Sequence, residues 1–233
     1  MNGSVVSPAT RQRVRDLATP VARGLGRLGL TPNALTVIGF LGTCVAALAA
    51  GTQAWFVAAV LVLVFGIFDL FDGALARATG KVSKFGAFLD STLDRAGEAA
   101  VYAGIAAGSL AAGFALGAIL AATAMGAAFM VSYTRAKSES LGFTPGTGMA
   151  AVGLAPREIR IVLLVIGLVA TAFRGGLAVI YDPGFGGYQG GYASFGDNDG
   201  SGALALTLGL ITILATVTTI QRILHVRAQS REG

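Results

Sequence analysis

The chain has 233 residues, 54% hydrophobic and only 12% charged, with a mean hydropathy of +0.72. An ordinary soluble domain carries roughly 25% charged residues, so this composition excludes one and points to a protein embedded in a membrane. The net charge of +5 rests on 17 Lys and Arg against 12 Asp and Glu, and a single cysteine, Cys44, excludes an internal disulfide framework.

Met1 to Gly29 contains five arginines and no apolar core of the kind a secretory signal needs, so the N-terminus is expected to be retained. Within it, Val14, Leu17, Val21, Leu25 and Leu28 recur at spacings of three and four with arginines between them. That pattern predicts an amphipathic helix lying on a membrane surface, against the plainer alternative of a solvated linker.

Six apolar stretches follow, each near the ~20 residues that cross a bilayer. They run from Ala34 to Ala50, Trp55 to Arg77, Phe85 to Ala112, Leu116 to Lys137, Ile159 to Ile180, and Ala203 to Leu224. The short links Gly51 to Gln53 and Ala112 to Ala115 predict antiparallel pairs. Cys44 reads as packing inside the first stretch, and His225 as an interfacial group just past the sixth. The Gly-rich segment Tyr181 to Gly202 reads as a loop. Most of the 34 glycines read as close-packing positions between helices.

The predicted fold is therefore an all-α integral membrane protein with six transmembrane helices and an N-terminal amphipathic interfacial helix. Its expected division is residues 1–30 for the amphipathic segment, 31–227 for the six-helix unit and 228–233 for a tail. Fifteen of the 17 basic residues lie before the first stretch, between the second and third, around the joint of the fourth and fifth, or at the C-terminal end. By the positive-inside rule this side, with both termini, is cytoplasmic.

Asp69, Asp72, Asp90 and Asp94 break the apolar pattern. A carboxylate in a span is costly and normally faces the bundle interior, water or a partner. The spacings of three and four place each pair on one helix face. Because the second and third stretches run antiparallel, the two faces can meet at one level near the basic side. Arg77 and Arg95, the nearest cations in sequence, neutralise only part of that charge. Divalent metal would satisfy the rest: all-oxygen ligation suits Mg²⁺, Mn²⁺ or Ca²⁺, with Mg²⁺ or Mn²⁺ expected, and two carboxylate pairs can bridge two ions. A buried Asp and Arg network without metal is the alternative. Gly73, Ala76 and Gly86 leave room beside the acids, and Arg77 can reach a phosphate there.

The string Asp69-x-x-Asp72-Gly73-x-x-Ala76-Arg77, eight residues, Gly86-x-x-x-Asp90-x-x-x-Asp94 resembles the full signature of the CDP-alcohol phosphotransferase family. The resemblance implies a membrane enzyme that moves a phosphatidyl group from CDP-diacylglycerol to an alcohol and releases CMP. It implies Asp69, Asp72 and Asp90 as metal ligands, with Asp94 as general base and a share in the second ion. It further implies contacts to the cytidine diphosphate from Gly73, Arg77 and Ser83, and from Asn33 and Thr36 in "TPNALT". A homodimer in the cell membrane, with no nucleic-acid partner, is the expected assembly.

The acceptor is read from other residues. Ser132, Arg135 and Lys137 end the fourth stretch, Arg157 and Arg160 begin the fifth, and Arg222 ends the sixth. Converging cations suit a phosphorylated acceptor, although generic basic charge facing anionic headgroups would look the same. "TPVARGLGRLGLTPNALTVIG", "SYTRAKSESLG" and "TTIQR" are similar to the phosphatidylinositol-phosphate synthase branch of the family, which implies 1D-myo-inositol 3-phosphate as acceptor. The run "GFTPGTGMAAVGLAPREIR" departs from that branch. Glycerol 3-phosphate is the alternative acceptor, and a cation-coupled transporter is the alternative from another class.

Overall fold

The computed structural model describes residues 20–22, 24–143, 152–177 and 199–231. Among these residues all regular structure is helical. Six long helices follow one another: α1 (Pro32–Gly51), α2 (Trp55–Ala78), α3 (Lys84–Ala111), α4 (Ala115–Ser140), α5 (Arg157–Phe173) and α6 (Ser201–Gln229).

Local chemistry sets their ends. Thr31 caps α1, its Oγ1 accepting from the Ala34 N–H at 3.2 Å, and Pro32 supplies the preset first helical residue. Ser83 caps α3 in the same way through the Gly86 N–H at 2.9 Å. Glycine at φ +67 (Gly80) allows the reversal between α2 and α3 that a side chain would resist.

The fifth apolar stretch is shorter than expected. Its helix closes at Phe173, because Gly175 and Gly176 take φ of +88 and +77 and turn the chain; residues 178–180 lie outside the described part. At the other end, α6 starts at Ser201 and runs to Gln229, beyond both expected limits of the sixth stretch.

The principal packing closes into a ring in the order α1, α2, α5, α6, α4, α3. Along one face of α3, Gly104 and Gly108 lie directly against the backbone carbonyls of Ala47 and Ala50 in α1, where a Cβ would collide with main chain. Small residues at this crossing let the two backbones approach as helices do in lipid. Gly104→Val is therefore expected to lower stability by about 1–3 kcal/mol or more, read as an earlier thermal transition of the detergent-solubilised protein.

Among the described residues four helices, α1, α2, α4 and α6, are long and apolar enough to cross a membrane. The other two depart for visible reasons: α3 carries Asp90, Asp94, Arg95 and Glu98, and α5 has only 17 residues. The outward faces are apolar, with Leu41, Val45, Leu48, Val57, Val60 and Leu63 exposed along α1 and α2 alone. Such a surface is far beyond the patches tolerated in water and fits an integral membrane protein. Ahead of α1, residues 24–27 are helical; Ala22, Leu25 and Leu30 pack on Leu35, Ala74 and Leu75, while Val21 and Leu28 stay exposed. Val14 and Leu17 of the predicted amphipathic stripe lie outside the described residues.

Candidate active site

The two aspartate pairs meet as their spacing predicts. One carboxylate oxygen each from Asp69, Asp90 and Asp94 lies within 4.8 Å of the others. Asp72 stands beside this trio and is buried, its Oδ2 accepting a hydrogen bond from the Thr36 hydroxyl at 2.6 Å. Thr36, Thr43, Asp69, Asp94, Gly97 and Arg157 line the adjoining cleft between α1, α2, α3 and α5.

The cation at the centre is one that sequence proximity does not reveal. Arg157, from the first turn of α5, directs Nη1 to Asp69 Oδ2 and, at 2.8 Å, to Asp94 Oδ2. Arg95 reaches Asp94 at 3.5 Å and Glu98 at 3.8 Å, and donates to the Ser132 hydroxyl at 2.5 Å. Arg77, the other expected neighbour, lies over Gly73, where a Cβ would come within 3.3 Å of its Nη1. Thus an Asp and Arg network is present, but it does not balance. With Glu98 held by Arg160, Arg95 and Arg157 are the only cations ion-paired with the four aspartates among the described residues. Asp90 makes no hydrogen bond or ion pair among the described residues. An all-oxygen set with surplus negative charge at close range is the donor chemistry that Mg²⁺ or Mn²⁺ takes, so the trio can hold a metal ion.

The residues expected at the nucleotide fall into two groups beside the acids. Asn33 and Ser83 converge on Gly86, whose missing side chain keeps a gap: a Cβ there would lie 3.2 Å from Asn33 Oδ1 and 3.0 Å from Ser83 Oγ. Gly73 and Arg77 form the second group, and Thr36 is committed to Asp72.

The expected acceptor-phosphate set is not brought together as one cluster. Arg157 is at the aspartates. Arg160, 1% exposed, grips Glu98 with Nε and Nη2, each at 2.9 Å. Arg222 is buried, with Nε on the Val152 carbonyl at 3.1 Å and Nη1 on the Val131 carbonyl. Ser132 accepts from Arg95. Only Arg135, paired with Glu139 at 2.9 Å, and Lys137 stay exposed at the end of α4. The reason is that the segment before α5 presents carbonyls outside any helix, Val152 to Arg222 and Ala155 to Arg160, which buried guanidinium groups satisfy. Residues 152–155 are thereby held at three points, since Thr218 Oγ1 also accepts from the Ala155 N–H at 2.9 Å.

Sequence reasoning missed Glu98. The signal was present, since Glu98 extends the Asp90, Asp94 series by another step of four.

Comparison with known proteins bears on this site directly. The family model described as CDP-alcohol phosphatidyltransferase matches residues 29–181. An archaetidylinositol phosphate synthase of Pyrococcus horikoshii is 39% identical over 170 residues, covering 73% of this chain and 86% of that protein. A phosphatidylinositol phosphate synthase of Streptomyces avermitilis is 34% identical over 219 residues, 92% of this chain and 80% of that one. Among solved structures, Mycobacterium tuberculosis phosphatidylinositol phosphate synthase in complex with manganese and citrate aligns at 28% identity with a TM-score of 0.70, covering 90% of this chain and 88% of that one. The same enzyme with CDP-DAG bound aligns with a TM-score of 0.69 at 28% identity over 91% and 94% of the two chains.

Proposed function

The chain belongs to the CDP-alcohol phosphatidyltransferase family, and we propose that it transfers the phosphatidyl group of CDP-diacylglycerol to a hydroxyl of 1D-myo-inositol 3-phosphate, giving phosphatidylinositol phosphate and CMP. One observation carries the reading: Asp69 from α2 and Asp90 and Asp94 from α3 converge within 4.8 Å, inside the family's signature. Relatives named for inositol phosphate products favour this acceptor over glycerol 3-phosphate. The signature with its nucleotide-sized gap disfavours a transporter.

A divalent ion bound by the aspartates would neutralise the diphosphate and hold it for in-line displacement. In our assignment Asp69, Asp72 and Asp90 are ligands and Asp94 is shared between ligation and base catalysis. Asp94 takes the proton of the acceptor hydroxyl, and that oxygen attacks the phosphorus bearing the diacylglycerol. The bond from this phosphorus to the bridging oxygen breaks, and the electrons leave with CMP. Asn33, Ser83, Gly73 and Arg77 hold the cytidine diphosphate, with Thr36 acting through Asp72. Six spans, with α3 and α5 crossing beside the four apolar helices, place the acids near the basic face. Both termini and the site are then cytoplasmic, lipid tails stay in the bilayer, and the soluble acceptor enters from water. Residues 31–227 form this catalytic unit, and two copies pair in the membrane.

Arg135 and Lys137, the exposed cations, are the first candidates for the acceptor phosphate. Losing one charge-assisted hydrogen bond of about 1.5–3 kcal/mol raises the acceptor KM by roughly tenfold to a hundredfold. The test measures CMP release at saturating CDP-diacylglycerol while titrating inositol phosphate and, separately, glycerol phosphate with native, Arg135→Gln and Lys137→Gln protein. Unchanged acceptor KM in both variants defeats the assignment, and preferential use of glycerol phosphate defeats the acceptor. Arg222→Gln is expected to act differently, lowering thermal stability because it leaves the Val152 carbonyl unpaired.

A further inference from the structure

Glu98 lies on α3 four residues past Asp94, with its side chain 8% exposed. It receives Arg160 at two points, and the third guanidinium nitrogen of Arg160 donates to the Ala155 carbonyl at 3.0 Å. A forked arginine-carboxylate contact fixes the orientation of both groups as well as their distance. Arg160 is therefore held to α3 on one side and to the residues entering α5 on the other.

Arg157 lies three residues before Arg160, so the same turn of α5 carries both. Its Nη1 meets Asp69 and Asp94, yet its Nε is buried without a partner among the described residues. A guanidinium free to choose would satisfy that donor too; here the backbone position imposes the contact. Two neighbouring cavities share Thr43 and Arg157 in their walls; Asp69 and Asp94 line one, Glu98 and Arg160 the other. The Glu98 grip thus sits directly behind the arginine that occupies the carboxylate site.

A buried ion pair is a poor source of stability, because desolvation offsets its attraction and apolar side chains pack as well. Apolar side chains would not fix how α5 is rotated against α3. Glu98 also stands within 3.8 Å of Arg95, drawing off part of a second guanidinium that would otherwise belong to Asp94 alone.

We infer that Glu98 is a positioning residue for the carboxylate site: by gripping Arg160 it sets the first turn of α5 and delivers Arg157 between Asp69 and Asp94, where the guanidinium competes with a divalent cation for the same oxygens. The inference rests on the reading that Asp69, Asp90 and Asp94 hold such an ion. Arg157 then keeps the acids neutralised when the ion is absent and gives way when it binds.

The experiment measures Mn²⁺ binding, by electron paramagnetic resonance of the free ion, to purified full-length protein in nanodiscs without substrate. Native, Arg157→Gln, Glu98→Gln and the double variant form a cycle. Arg157→Gln is expected to tighten Mn²⁺ binding by about tenfold or more in the native background, and by less than about threefold once Glu98 is Gln. Glu98's own charge cancels in this comparison, since both members of the second pair lack it. An equal ratio in both backgrounds makes Glu98 a packing residue only and overturns the proposal. No change on Arg157→Gln in the native background also overturns it. If the native protein shows no saturable Mn²⁺ binding, the metal reading of the three aspartates fails first. Should Glu98→Gln not fold because Arg160 is left buried and unpaired, Glu98→Gln with Arg160→Met removes both charges and supplies the second background.

Discussion

Asp90→Asn is expected to abolish phosphatidyl transfer while leaving the metal-free protein as stable as the native one, or more so. An amide oxygen carries no net charge to offset a divalent ion, and the loss of transition-state stabilisation is on the order of 10³-fold in turnover or greater. Stability should not fall appreciably, because Asp90 makes no hydrogen bond or ion pair among the described residues, and its repulsion by Asp69 offsets its attraction to Arg157 and Arg95 beyond ion-pair distance. Asp69→Asn is expected to lose the same activity but also to destabilise the metal-free protein, since Arg157 loses a carboxylate partner. Chelator should silence the native enzyme, and Mg²⁺ or Mn²⁺ should restore it. The check is CMP release across a Mn²⁺ titration beside thermal unfolding in chelator. An Asp90→Asn enzyme working near the native rate at saturating Mn²⁺ would remove the carboxylate from the site, and full native activity in excess chelator would remove the metal.

The aspartate site was legible because its determinants are local. Spacings of three and four put each acid pair on one face, and a link of five residues between α2 and α3 brings the faces to one level. The counter-ion was not legible for the opposite reason. Arg157 is 88 residues from Asp69 in sequence, and only closure of the ring through α2 and α5 brings them together. No periodicity encodes that distance, so Arg77 stood out instead, and it proves to lie over Gly73.

The basic face was misleading in a related way. Counting Arg157, Arg160 and Arg222 as free surface charge treats every arginine near a membrane boundary alike. In the fold, Arg160 and Arg222 are 1% and 4% exposed and satisfy a carboxylate and backbone carbonyls. Charge bias reports topology; it does not distinguish a ligand from a clamp. Composition was equally silent about the end of α5, where two glycines with positive φ override a run of apolar residues.

Asp94→Asn is expected to separate chemistry from donor binding. A general base acts on the acceptor hydroxyl, so its removal leaves Asn33, Ser83, Gly73 and Arg77 to hold the cytidine diphosphate. Loss of a positioned base costs about 10²–10⁴-fold, which should appear in kcat while KM for CDP-diacylglycerol changes little. The structure adds a constraint on reading the result. Asp94 Oδ2 is also a partner of Arg157 at 2.8 Å and of Arg95 at 3.5 Å, so Asn releases two guanidinium groups along with the base. Arg157→Gln in the Asp94→Asn background controls for that release: if freed arginine were blocking the site, the second substitution would recover activity. The base assignment requires that it does not. Steady-state kinetics in both substrates, with donor affinity measured separately, decides the matter. Native kcat with Asn at position 94 would exclude Asp94 as the base, and a loss confined to KM for CDP-diacylglycerol would make it a donor ligand instead.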